Sequence, residues 1–169
     1  MVSASNRNPD IAKLNQMIEG IEIAMLTTAM PDGSLHARPM ATQEIGDDGV
    51  LWFFCDADSA KVHEVRQDSH VNASYADSGK HRYVSISGRA TVVRDLQKAR
   101  ALWTPLAKTW LPNGPEDPHL VLLRVEMDEA EYWDGPTSKM VQLFGMAKAA
   151  VTAERHQSAE SKKIPVTGD

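Results

Sequence analysis

The sequence lacks the features that would form a disulfide or cross a membrane. Cys55 is the single cysteine among 169 residues, so no disulfide can form within the chain. No run approaches the roughly 18 consecutive apolar residues of a membrane-spanning helix, and Met1 to Asp10 contain no apolar stretch of the kind that a secretory signal needs. Both absences favour a cytoplasmic protein without a membrane partner.

Several chemical motifs are absent too. Neither G-x-G-x-x-G nor G-x-x-x-x-G-K-[ST] occurs, so both common nucleotide-binding loops are missing. The six histidines show no metal-ligand spacing and one cysteine cannot complete a thiolate site, so no metal is expected. The net charge of −5 comes without a basic run, whereas nucleic-acid binding depends on many Lys or Arg contacts with phosphates. A nucleic-acid partner is therefore not expected either.

The strands are predicted from alternating apolar residues. A β-hairpin is expected over residues 21–42, with Pro31-Asp32-Gly33 in its turn. The apolar run Val50 to Cys55 predicts a strand that is buried on both faces in the middle of a sheet. Gly88 indicates a bulge or a close backbone approach within its strand. The remaining strands are expected over residues 70–75, 82–93, 120–127 and 131–133, the last two separated by a turn near Asp128.

The helices are few and do not alternate regularly with the strands. They are expected over residues 10–20, over residues 58–66, and as two short helices between Leu96 and Trp110 with a break at Thr104. This pattern predicts a mainly β protein, a closed antiparallel barrel of six or seven strands with a few α-helices. Residues 1–151 are expected to form one domain, and residues 152–169 a loose polar tail.

Two segments have the chemistry of a binding site for a phosphorylated planar ligand. Ser59 and Lys61 lie at a predicted helix start, where free backbone N–H groups and the helix dipole favour an anion. An ordinary helix cap followed by a solvated lysine explains the same residues. Arg38 and Met40 share one face of a strand, and Pro39 between them lacks an N–H, so it belongs at an edge or bulge where backbone groups are free for a ligand. Apolar walls for such a ligand are available from Trp52, Phe53, Phe54, Trp103, Trp110, Tyr132 and Trp133.

At these residues the sequence resembles the FMN-binding split-barrel family related to pyridoxamine 5′-phosphate oxidase, most closely its general stress protein branch. The resemblance extends over about residues 10–151 and rests on five ordered blocks. They are Asp32-Gly33-Ser34-Leu35-His36-Ala37-Arg38-Pro39-Met40, Leu51-Trp52-Phe53-Phe54-Cys55-Asp56 with Ser59-Ala60-Lys61, Tyr83-Val84-Ser85-Ile86-Ser87-Gly88, Leu102-Trp103-Thr104-Pro105-Leu106-Ala107-Lys108 and Ala130-Glu131-Tyr132-Trp133-Asp134-Gly135.

The resemblance implies the residues of a flavin mononucleotide (FMN) site and a homodimer with its flavin sites at the interface. The ring and ribityl contacts are then Arg38, Pro39 and Met40, the ring is lined by Phe53, Phe54 and Cys55, and the phosphate is held by Ser59 and Lys61. Trp133 would reach a flavin across the dimer interface. No residue is identified as a catalytic acid or base.

The sequence also departs from the oxidases of this family. Ala60 stands where they have an arginine at the phosphate, and Cys55 where members commonly have a threonine. The region from Ser138 to Gly145 lacks the arginine and histidine that read a substrate phosphate, which argues against pyridoxamine phosphate oxidase activity. The expected function is electron transfer between reduced nicotinamide, NADH or NADPH, and an unknown acceptor. A non-enzymatic flavin-binding stress or sensor protein, and a split barrel that holds haem or a deazaflavin, are the alternatives.

Overall fold

The computed structural model describes residues 9–135 and 160–165, which contain seven strands and four helices. The strands are β1 (Ile23–Ala29), β2 (Leu35–Ile45), β3 (Val50–Asp56), β4 (His70–Asp77), β5 (Arg82–Val93), β6 (Leu120–Asp134) and β7 (Glu160–Pro165). The helices are α1 (Pro9–Ile18), α2 (Ala60–Gln67), α3 (Leu96–Leu102) and α4 (Ala107–Trp110). In these residues no helix has the length and apolar character needed to cross a membrane.

Six of the strands close into an antiparallel barrel. The hydrogen-bonded order is β3-β2-β1-β4-β5-β6, and β6 pairs back onto β3 from Leu120 to Glu126, which closes the ring. The second half of β6, from Glu129 to Asp134, pairs with β7. The predicted mainly β fold, an antiparallel split barrel with a few helices, is thus confirmed.

The strand β3 has an apolar environment on each of its faces. Leu51, Phe53 and Cys55 point into the barrel core, where they pack against residues of the other strands. Phe54 lies on the opposite face and belongs to a second apolar cluster formed with α3, α4 and the start of β6. The unbroken apolar run in the sequence therefore reflects a strand between two cores.

The two strands expected over residues 120–127 and 131–133 are one continuous strand, β6. The predicted turn near Asp128 is wrong. Ser87 pairs with Glu129 but Gly88 pairs with Met127, so Asp128 is an extra residue in a β-bulge. A bulge accommodates a polar residue without ending the strand, and a turn and a bulge look alike in sequence.

Gly88 is required where β5 meets this bulge. A Cβ atom at this position would lie 2.1 Å from the carbonyl oxygen of Glu126, which is backbone and cannot move aside. We expect Gly88→Ala to lower the free energy of unfolding by about 2 kcal/mol, as measured by urea denaturation. Gly79→Ala is the control, since a Cβ there would contact only the Asp77 side chain, at 3.4 Å. Equal stability of the two variants would contradict the predicted clash.

The segment beyond residue 151, expected to be a loose tail, contains a strand. Residues 160–165 form β7 and pair antiparallel with β6 from Pro165 opposite Glu129 to Glu160 opposite Asp134. The sequence Glu-Ser-Lys-Lys-Ile-Pro has too few apolar residues to predict a strand by alternation. Residues 136–159 lie outside the described residues, and they include the Ser138–Gly145 region, where the sequence lacks the arginine and histidine of the oxidases.

Candidate functional site

A cavity of about 500 Å³ lies between the outer surface of the barrel and the α3–α4 segment. Strands β2 and β3 form its inner wall, the residues around α4 form its outer wall, and Lys61 of α2 lies at its edge. The lining consists of Glu22, Ile23, Pro39, Met40, Ala41, Thr42, Gln43, Phe54, Cys55, Asp56, Lys61, Thr104, Leu106, Ala107, Trp110 and Leu111. The volume is within the range usual for small-molecule sites.

The inner wall is shaped by an irregularity in β2. Thr42 pairs with Phe53 and Glu44 with Trp52, so Gln43 between them is an extra residue in a bulge. The Gln43 amide donates a hydrogen bond to the Ala41 carbonyl at 3.0 Å. Bulges leave backbone groups unpaired and are common beside functional sites. The wall therefore combines apolar surface from Pro39 and Phe54 with polar groups that could meet the edge of a planar ring.

The outer wall is apolar and exposed to solvent. Leu106 is 52% exposed and Trp110 is 73% exposed, although both side chains line the cavity. Ala107 is buried against the cluster that contains Phe54, so α4 is anchored on its inner side. This contact holds α4 beside the cavity, and Trp110 lies at the end of the helix among the lining residues.

The start of α2 supplies the positive end of the cavity. Lys61 lies in the first helical turn, where N–H groups have no intrahelical acceptor. Within the described part of the chain its ammonium makes no hydrogen bond or ion pair. The Ser59 hydroxyl donates to the Asp56 carbonyl at 2.6 Å. An anion here would meet this ammonium and the positive end of the helix dipole. The Ser59 hydroxyl would have to turn from the Asp56 carbonyl to donate to the anion.

Arg38 is bound to the side of α2 that faces the barrel and does not line the cavity. Its guanidinium donates to Glu64 Oε2 at 2.6 Å and to Thr28 Oγ1 at 2.6 Å, and it lies 2.8 Å from Nδ1 of His36. The Thr28 hydroxyl donates to the same Glu64 oxygen at 2.5 Å. The network joins β1, β2 and α2, and so holds the middle of α2 against the barrel.

The Glu64 carboxylate is charged within this network. Its side chain is 7% exposed and that of Arg38 is 16% exposed. Burial by itself raises the pKa of Glu64, but the hydrogen bonds from Thr28 and Arg38 and the Arg38 charge outweigh it. The pKa is therefore below the ordinary value of 4.5.

Cys55 contributes to the cavity but its thiol is shielded from solvent. The residue is 2% exposed and its side chain belongs to the barrel core, although Cys55 is also among the residues that line the cavity. Burial raises the pKa of the thiol to about 12. Since the thiolate is the reactive form, the thiol is inert at neutral pH.

We therefore expect no reaction of Cys55 with an aromatic disulfide reagent at pH 8 in the native protein. One thiol per chain should react after unfolding in guanidinium chloride. The absorbance of the coloured thiolate that the reagent releases measures the reaction of the native and of the unfolded protein. Rapid reaction of the native protein would show that the strand opens at this point.

The structure brings five of the nine predicted site residues to the cavity, namely Pro39, Met40, Phe54, Cys55 and Lys61. Ser59 directly precedes α2. Phe53 is fully buried inside the barrel and can act only through packing. Trp133 is half-buried on β6, opposite Tyr83 and Ser161, and does not line this cavity.

Glu64 and the Gln43 bulge are site features that the sequence did not indicate. Glu64 lies 26 residues from Arg38, and an acidic residue in a helix is ordinarily exposed. No local pattern predicts such a pair. Trp110 appeared only as one of several aromatic candidates, because exposure cannot be read from the residue type.

Sequence comparison identifies a family. The chain matches the family described as pyridoxamine 5′-phosphate oxidase like over residues 9–157. It is 27% identical over 154 residues to protein bli-3 of Neurospora crassa, covering 85% of this chain and 74% of the relative.

Solved structures similar to this chain include several general stress proteins. A putative general stress family protein of Xanthomonas campestris pv. campestris is 31% identical, with a TM-score of 0.66, covering 80% of this chain and 93% of that chain. The general stress FMN/FAD binding protein of Xanthomonas citri is also 31% identical, with a TM-score of 0.66, covering 78% and 93%. A putative general stress protein 26 of Jannaschia sp. CCS1 has a TM-score of 0.71 at 21% identity, covering 94% and 99%, and supports the fold.

Proposed function

The chain belongs to the pyridoxamine 5′-phosphate oxidase-like family, within its general stress protein branch, and we propose that it binds FMN in the cavity between β2, β3 and α4. The observation that carries the proposal is the combination of the Lys61 ammonium, which has no partner within residues 9–135, with an apolar wall at Pro39 and Phe54. A phosphate on a planar ring has the complementary chemistry. The similar Xanthomonas citri protein is described as FMN/FAD binding.

In this proposal each part of the ligand has its own set of residues. Lys61, the N–H groups at the start of α2 and the Ser59 hydroxyl hold the phosphate. Pro39, Met40 and Phe54 contact the ring, and Cys55 contributes its backbone. Phe53 supports this wall from inside the barrel. A bound flavin supplies hydride or electron transfer, and the chain positions it and excludes water.

Arg38 acts on the ligand through its position next to the phosphate end. Its guanidinium is bound to Glu64, so it holds α2, whose first turn contains Lys61, against β2. Its positive charge also lowers the potential energy of a phosphate nearby, although the carboxylate offsets part of that effect. We therefore assign Arg38 to the positioning of the phosphate end.

We further propose a homodimer, in which Trp133 reaches the flavin bound to the second copy. Two exposed apolar side chains of β1 support it. Ile23, which lines the cavity, is 47% exposed and lies opposite Ala41 of β2, and Met25 is 43% exposed and lies opposite Pro39. An apolar strand surface of this kind is typical of a subunit interface. Light scattering of the purified protein should give twice the chain mass.

The visible absorption spectrum after addition of FMN and desalting tests the proposed cofactor. We expect flavin bands with one FMN per chain. A protein that loses all FMN but retains haem or a deazaflavin would support the alternative of a split barrel that holds one of these two ligands. An apoprotein that retains none of them would contradict a cofactor site.

Anaerobic stopped-flow mixing of the FMN-loaded protein with NADH or NADPH tests the proposed oxidoreductase role. Electron transfer from a reduced nicotinamide should bleach the flavin absorption rapidly and saturably. Bleaching over hours, no faster than for free FMN, would favour the flavin-binding stress or sensor protein.

A further inference from the structure

The buried carboxylate of Glu64 joins α2 to two strands of the barrel through a single oxygen atom. Glu64 Oε2 accepts a hydrogen bond from the Thr28 hydroxyl of β1 at 2.5 Å and another from the Arg38 guanidinium of β2 at 2.6 Å. Thr28 and Glu64 are both buried, and neither is among the described residues that line the cavity. Any effect of this carboxylate on a ligand must therefore pass through the groups that it holds in place.

The hydrogen bonds of Glu64 also restrain the rotation of α2 about its own axis. The other buried side chains of α2 are Val62 and Val65, which pack in the barrel core. Apolar packing is non-directional, whereas a hydrogen bond requires defined positions of donor and acceptor. Lys61 lies three residues before Glu64, and residues at this spacing are neighbours on the helix surface. Holding Glu64 therefore sets the direction in which the Lys61 side chain leaves the helix.

Arg38 and Lys61 both act on the buried thiol of Cys55. Burial raises the pKa of this thiol to about 12, and the charges of Lys61 and Arg38 act in the opposite direction. Both cations are thus within electrostatic reach of one residue of the cavity lining. A shift of α2 relative to β2 would change the distance between the two cations at the phosphate end of the proposed site.

We propose that Glu64 is a positioning residue for the phosphate of a bound flavin. Through its hydrogen bonds with Thr28 and Arg38 it sets the placement of the Lys61 ammonium and of the N–H groups at the start of α2. The inference rests on the proposed FMN site. It concerns the phosphate and not the ring, because the ring contacts proposed on β2 and β3 are held by the pairing of these strands.

The test compares the affinities of charge-conserving variants for FMN and for riboflavin, which lacks the phosphate, by fluorescence quenching. Glu64→Asp retracts the carboxylate by one methylene group, and Thr28→Val removes the hydroxyl that donates to it. Each should weaken FMN binding about fivefold, the equivalent of one hydrogen bond, and leave riboflavin binding unchanged. Since neither substitution alters the net charge, the expected loss cannot come from one charge more or less near the phosphate.

Ile11→Val is the control for a general loss of stability. Ile11 is buried on α1, which contributes no residue to the described lining of the cavity. Removing one buried methylene group destabilises the fold to a degree comparable with the loss of one hydrogen bond. Ile11→Val should nevertheless leave the affinities for FMN and riboflavin unchanged.

Three results would overturn the proposal. Unchanged FMN affinity in Glu64→Asp and Thr28→Val would leave Glu64 a role in folding alone. Equal losses for FMN and riboflavin would mean that the network supports the whole cavity, and an equal loss of FMN affinity in Ile11→Val would mean that stability alone matters. If Glu64→Asp does not fold, Thr28→Val decides between these results.

Failure of the proposed function would give a different result. A wild type that binds FMN no more tightly than riboflavin would reject the phosphate site itself, and the positioning role with it. The three results above instead leave the preference of the wild type for FMN intact.

Discussion

Replacing Glu64 by glutamine is expected to lower the free energy of unfolding by about 3 kcal/mol at pH 7, the lower end of what breaking a buried ion pair costs. The substitution leaves the Arg38 guanidinium, 16% exposed, without a countercharge. The amide oxygen of glutamine keeps one acceptor for Arg38 or Thr28, which is why the expected loss is not larger. Urea denaturation at fixed protein concentration measures it.

An exposed pair provides the control for this loss. Glu116 accepts a hydrogen bond from Arg100 at 2.9 Å, and both side chains are 57% exposed. Glu116→Gln should change stability by less than about 1 kcal/mol. The double variant Arg38→Met with Glu64→Leu should recover much of the loss, since it removes both charges together. If Glu64→Gln were as stable as Glu116→Gln, the network would not be holding α2 to the barrel.

The effect of Glu64→Gln should also depend on pH. The pKa of Glu64 is lower in the folded protein than its ordinary value of 4.5, so the carboxylate stabilises the fold above that pH. The stabilisation is lost as the pH falls through the folded pKa. The difference in unfolding free energy between wild type and variant should therefore be constant near neutral pH and shrink below about pH 4.5. If the difference between wild type and variant grew on acidification, the pKa of Glu64 would not be lowered by folding, contrary to the expectation.

Replacing Lys61 by alanine is expected to weaken FMN binding roughly 50-fold, or about 2.4 kcal/mol. The ammonium has no hydrogen bond or ion pair within the described residues, so its N–H groups can donate to the phosphate without breaking another contact. Part of the anion affinity should survive, because the N–H groups at the start of α2 do not depend on the side chain. Quenching of FMN fluorescence during titration measures the dissociation constant.

Lys108→Ala is the matched control for the loss of one positive charge. Lys108 is an exposed residue of α4 and does not line the cavity. It should change the FMN affinity by less than about twofold, since charges in water are screened over about a Debye length. An equal loss in both variants would mean that Lys61 contributes only to the general electrostatic potential.

Much of the barrel could be predicted because its strands are locally regular. The 21–42 hairpin has alternating apolar residues on both sides of a turn sequence, and the run from Val50 to Cys55 is apolar throughout, as its two cores require. Asp128 and β7 could not be predicted in the same way. A bulge and an edge strand are determined by pairing with a distant partner, which local residue patterns do not contain.

The site was predicted more from resemblance than from physical pattern. Pro39, Phe54 and Lys61 line the cavity, but nothing local in the sequence places these three side chains together. The ion pair of Arg38 could not be predicted, because its partner Glu64 lies on another element and was not a candidate. The position of Trp110 depends on how α4 packs over β3, which is a tertiary property.

The phosphate site at the start of α2 is tested by measuring the affinities of the wild type and Lys61→Ala for FMN and for riboflavin under one set of conditions. Riboflavin has the same ring without the phosphate. We expect the wild type to bind FMN more tightly than riboflavin, and Lys61→Ala to lose affinity for FMN but not for riboflavin. Equal losses for the two ligands, or no preference for FMN in the wild type, would contradict a phosphate site at the start of α2.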